Sequence, residues 1–165
     1  MAIRHQLVER EPAAVWNVLR DPSRYADWVV GTSESAPRTG RWPEVGSSLA
    51  YTVKLGPKSV EGYTVVRRLE HPRYLELEAH TSLGTARIAF DIRPWGEETL
   101  LIVDEHPLRG LGGTLHNTVL ETAIQFRHRD MLRRLARLVE RLNPPTEPGS
   151  ADARPSSVTG EAGRE

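Results

Sequence analysis

The chain has 165 residues, of which 38% are hydrophobic, enough for one core of ordinary size and too few for two. Lys and Arg number 22, as do Asp and Glu, so the basic excess on which nucleic-acid binding rests is missing; cysteine is absent, which removes disulfides, thiolate metal sites and a thiol nucleophile. The first residues are charged throughout and the apolar runs elsewhere fall far short of a bilayer's width, so a cytoplasmic protein with no membrane span is expected.

In chain order, residues 3–9 alternate weakly and read as a strand. Pro12 then suits the first turn of a helix with Val15, Trp16 and Leu19 on one face, and Asp21 with Pro22 starts a second short helical stretch through Tyr25 and Trp28. A further strand is expected near 33–39. Five runs with a period near two follow, at 48–55, 60–70, 74–81, 85–94 and 99–107. Turn chemistry separates them at Gly56 and Pro57, His71 and Pro72, Leu83 and Gly84, and Pro94 to Gly96, so the strands should form an antiparallel meander.

Residues 115–142 carry the one long helical pattern, with Leu120, Ile124, Met131, Leu135, Leu138 and Leu142 at helical spacing and no proline inside. Thr114, Asn117 and Thr118 are all suitable caps for it. From Pro144 the composition turns to Pro, Gly, Ser and charge, which reads as a disordered tail at 144–165 behind a domain at 1–143. The expected class is α+β: a curved antiparallel sheet of six to seven strands, two short helices after the first strand, and a long C-terminal helix across the concave face. Alternation assigns Leu49, Tyr51, Val53 and Leu55 to that face, with Leu75, Leu77, Ala79, Ala86, Ile88, Phe90 and Ile92; Glu76, Glu78, Arg87, Asp91 and Arg93 should meet water.

The phrase PAAVWNVLRDPSRYADWVVG, with Pro12, Val15, Trp16, Leu19, Asp21, Tyr25 and Trp28, resembles the START/Bet v 1-like (SRPBCC) superfamily, the polyketide cyclase/dehydratase and lipid-transport group. Trp42 to Gly46, Glu70 to Leu75 and Glu97 to Thr99 add to the resemblance, which spans 1–142. It implies the helix-grip fold and a cavity between sheet and long helix that takes an apolar ligand; the fold alone says little about chemistry.

Cavity candidates on the strands are Tyr51, Val53, Tyr63, Leu77, Ile88, Phe90, Val103 and Glu105, and on the helix Ile124, His128 and Met131. The same residues can instead fill the space as an ordinary core. His128 falls within the apolar arc, where it could meet a ligand oxygen or act as a base, or sit at the arc's edge half in water. Tyr51 could donate to a ligand carbonyl or reach water at the cavity mouth. The register of the strand holding Tyr63 is not fixed by alternation, because Gly62 and the pair Arg67 and Arg68 interrupt it. Glu105 is inward if Thr99, Leu101 and Val103 are, which would turn Asp104 and His106 outward; the reverse register leaves it solvated.

Arg109 to Thr114 has the glycines of a phosphate turn without its Lys-Ser/Thr ending, and serves equally as a gate or plain connector. Arg129, Arg133 and Arg137 lie opposite the apolar arc as solubilising charge. No metal pattern occurs and no cofactor is implied. The leading expectation is a protein that binds or sequesters an apolar small molecule such as a lipid, isoprenoid or polyketide-like compound, as monomer or homodimer. The alternatives are a polyketide cyclase/dehydratase using His128, Tyr51 and Glu105, and a protein-interaction module.

Overall fold

The structure, a computed structural model, describes residues 2–55, 57–82, 84–110 and 118–144. Its elements run β1 (Ala2–Val8), α1 (Pro12–Leu19), a 3₁₀ turn (Pro22–Arg24), α2 (Tyr25–Trp28), β2 (Thr32–Thr39), β3 (Ser48–Leu55), β4 (Lys58–Glu70), β5 (Tyr74–Thr81), β6 (Gly84–Trp95), β7 (Glu98–Gly110) and α3 (Thr118–Leu142). The seven strands form one antiparallel sheet in the order β1-β7-β6-β5-β4-β3-β2, the curved sheet of the helix-grip fold. The expected tail beyond Pro144 and the glycines of the connector from Leu111 lie outside the described residues.

Local chemistry sets the element ends. The Asp21 carboxylate accepts from the Ser23 amide at 2.9 Å and starts the 3₁₀ turn, with Pro22 as its first residue. Gly96, at φ +64°, makes the two-residue turn between the paired Trp95 and Glu98, a left-handed position that penalises any Cβ. β7 runs past Pro107, where the sequence suggested an end. The described pairing of β1 reaches Ala2, opposite Glu105, and among the described residues nothing pairs with that side of β7 beyond it, where a proline is tolerated; a bulge at Thr85 and Ala86 adjusts the other side.

Register fixes the faces. The chain of partners Val66, Leu77, Ile88 and Glu105 crosses the sheet on its inner side, as do Leu75, Phe90 and Val103 one row on. Leu75, Phe90, Ile92 and Leu101 are completely buried there, beneath Met131, Leu132, Leu135, Ala136, Leu138 and Val139 of α3. Arg129, Arg133 and Arg137 are exposed, as their spacing requires, while Leu142, expected in the apolar arc, is 41% exposed because the stripe ends at Val139.

The C-terminal end of α3 is tied to the start of the chain. The Glu9 amide donates to the Glu140 carboxylate at 3.1 Å, and the Arg10 guanidinium donates to the carbonyls of Glu140 and Asn143. The Thr99 hydroxyl donates to the Arg10 carbonyl at 2.7 Å, satisfying a fully buried side chain at the same end.

Candidate functional site

The inner face grades from large to small along the strands. Past the row of Leu77 and Ile88 its paired residues are Ala79 with Ala86, then Thr81 with Gly84, and Gly62 opposite both Tyr51 and Thr81. Ala79, Thr81, Gly84, Ala86 and Gly62 are all half-buried, whereas Leu75 and Phe90 a few residues away are sealed. Small side chains cover less of a curved sheet than large ones, so among the described residues the inner face has a sealed end near Leu101 and a more exposed, open end near Ala86.

An aromatic group stands beside the open end. Tyr25 and Trp28 of α2 meet edge to face with centroids 5.1 Å apart; Tyr25 also lies 5.6 Å from Tyr51 and Trp28 lies 5.8 Å from Phe90. The Tyr25 hydroxyl and the Thr64 hydroxyl share a hydrogen bond of 3.2 Å, which accounts for a threonine with no exposure inside the sheet. Gly62 makes room for Tyr51: a Cβ there would stand 2.8 Å from the Tyr51 ring carbon Cζ and 2.6 Å from the His80 carbonyl. Two polar atoms in this region are enclosed with no hydrogen-bond partner among the described residues, Trp28 Nε1 and Thr32 Oγ1. A buried polar group left so costs about 1–3 kcal/mol.

Of the residues singled out in the sequence, Tyr51 and Val53 face inward on β3, with exposures of 7% and 5%, and Ile88 is half-buried against the core. Leu77, Phe90, Val103 and Met131 are enclosed among core side chains at 5% exposure or less. Glu105 is inward, opposite Ile88, and its neighbours Asp104 and His106 face outward with Arg87. The side chains of Ile124 and His128 lie outside the described residues.

Tyr63 is a correction. It lies on the convex face, stacked on His80 at 4.5 Å with the Arg38 guanidinium 4.3 Å above its ring. Its partners Ala50 and His80 are outward residues, so β4 turns Gly62, Thr64 and Val66 inward instead. Tyr25, Trp28, Thr32 and Thr64 were not among the candidates. Thr64 was findable once Val66 was taken as inward, but the orphaned state of Trp28 and Thr32 depends on contacts that no local pattern announces.

The convex face is built from charge. Arg67 grips Glu78 with two hydrogen bonds of 2.8 and 3.1 Å, and His80 Nε2 stands 2.8 Å from the same carboxylate. Arg87 reaches Asp104 at 3.2 Å. A depression of about 670 Å³ opens between β2, β3 and β4, lined by Glu34, Arg38, Tyr51, Glu61, Gly62 and Tyr63 among others.

Hydrogen bonding from Arg67 holds the Glu78 carboxyl below its ordinary value. Because folding lowers this pKa, the stabilisation is complete above the ordinary value of 4.5 and disappears as pH falls through the lower folded value. Glu78→Gln is therefore expected to flatten the acid limb of urea midpoints recorded from neutrality to about pH 3. Parallel curves for the two proteins would remove the pair from the acid response.

Among the described residues no helix is long and apolar enough to cross a membrane. The sequence profile of the family described as polyketide cyclase / dehydrase and lipid transport matches residues 4–140. No curated protein sequence matches the chain. Among solved structures, the Zhui aromatase/cyclase of a Streptomyces species is similar with a TM-score of 0.71 at 16% identity, over 87% of this chain and 95% of that one. A START superfamily protein from Mycobacterium smegmatis gives 0.70 at 18% identity, over 86% and 98%. At these identities the likeness is one of fold.

Proposed function

The chain belongs to the polyketide cyclase/dehydrase and lipid transport family, and from that membership we propose that the open end of its inner face holds an apolar small molecule against α3. The observation that carries this reading is the step in side-chain size, from the sealed Phe90 and Leu75 to the half-buried Ala79, Ala86 and Gly62 on the same face. Apolar walls make burial of an apolar ligand favourable through loss of water contact, and polar groups near Tyr51 and Thr64 orient it. The ligand class is a lipid, isoprenoid or polyketide-like ring compound.

Native mass spectrometry of freshly purified protein should find a retained small molecule, and an apolar compound panel should raise the melting temperature. A ligand at a hundred times its Kd adds about 2.7 kcal/mol to stability. Empty protein together with an unmoved melting temperature across the panel would sink the reading.

A second reading, a cyclase or dehydratase, has one observation in its favour: Glu105 of β7 and Tyr51 of β3 lie on the same, inner face of the sheet. Such a pair can move a proton or polarise a carbonyl in a held chain. Absence of turnover of polyketide-like substrates by the parent protein would exclude it, and turnover that survives Glu105→Gln together with Tyr51→Phe would take this pair out of it. The interaction-module reading has the weakest support, since the convex face is dominated by ion pairs rather than by a continuous apolar patch.

A further inference from the structure

We infer that the ligand bears a neutral acceptor oxygen, a carbonyl or ether, on its apolar frame, and that the Trp28 indole N–H receives it. This rests on the container reading above and adds to it the polar end of the ligand and the residue that selects it.

Trp28 is 3% exposed and its Nε1 is enclosed, yet among the described residues nothing accepts its hydrogen. The contrast is Trp42, also buried, whose Nε1 donates to the Leu19 carbonyl at 3.1 Å. Among the described residues, then, one buried indole is satisfied and another is not. Of the nearby hydroxyls, those of Tyr25 and Thr64 are bonded to one another.

Thr32 supplies a second enclosed group without a partner, just beyond the end of α2. It is paired with Val53, which places it on the inner side of the sheet with Tyr51. An indole N–H can only donate, so what completes it must accept; a threonine hydroxyl can then donate to the same or an adjacent oxygen. The rings packed on Trp28 are those of Tyr25 and Phe90, and neither carries charge, so the surroundings favour a neutral oxygen over a carboxylate. A pure hydrocarbon would leave both groups unsatisfied and is selected against on that ground.

The test uses the whole chain and two probes of one shape, acetylnaphthalene and isopropenylnaphthalene, which differ in a C=O replaced by C=CH₂. Calorimetry should show the wild type binding the ketone about tenfold more tightly than the alkene. Trp28→Phe, which keeps a ring and loses the N–H, should abolish that preference, so that ketone and alkene bind the variant equally. A ketone preference that survives Trp28→Phe, or equal affinity for the two probes in the wild type, overturns the inference while leaving the container intact. Failure of both probes to bind at all would instead count against the container itself. Should Trp28→Phe not fold, Thr32→Val is read on the same pair, and its ketone preference should shrink.

Discussion

Phe90→Ala is expected to lower the stability of the fold by about 3–5 kcal/mol, with a matching fall in the urea midpoint and little change in the slope. The ring has no exposure, sits in a row between Leu75 and Val103, and meets Trp28 edge to face at 5.8 Å. Truncation removes the ring's transfer free energy and leaves a hole whose walls cannot follow, because the strands beneath are held by pairing on both sides. A loss below about 1 kcal/mol would mean that this end of the molecule is loosely packed, contrary to the sealed arrangement of its neighbours.

The opposite change at the opposite end should behave differently. Ala86→Phe adds a ring on the inner face in the row shared with Ala79, where both residues are half-buried. In a filled core such an insertion costs about 1–3 kcal/mol, since side chains must leave their rotamers. In a container the ring occupies the space meant for ligand. The expected result is therefore a melting temperature close to that of the parent and loss of binding of the apolar probes by more than about tenfold. Full binding with a destabilised fold would place the ligand elsewhere.

Much of this architecture was legible before any coordinates. The limits of β3 and β5 follow from alternation between turn residues, and the order of elements led to the same fold that the profile match supports. What failed did so for identifiable reasons. β4 is interrupted by Gly62 and by a bulge between Val66 and Arg68, and a bulge shifts the two-residue period by one, which is why Tyr63 could not be oriented. Pro107 looked like a terminus because the pattern does not tell which strand lacks a neighbour. The site was less legible than the fold. Tyr51 could be placed by counting and Glu105 only up to a choice between two registers, whereas the polar lining contributed by Tyr25, Trp28 and Thr64 comes from segments 36 to 39 positions apart that the fold brings together.

The ties between Glu9, Arg10, Glu140 and Asn143 join residues 130 or more positions apart, and β1 pairs with β7 across 91 to 103. During synthesis β1 must therefore wait until β7, at residues 98–110 of 165, has emerged before it has its partner. The hairpins from β3 to β7 can form in the order they emerge, each beside the one before. Closure is then a late event that depends on both ends at once. A nascent chain stopped before α3 would present its inner face to the cell uncovered, so timing, as much as final stability, governs whether this protein reaches its folded state.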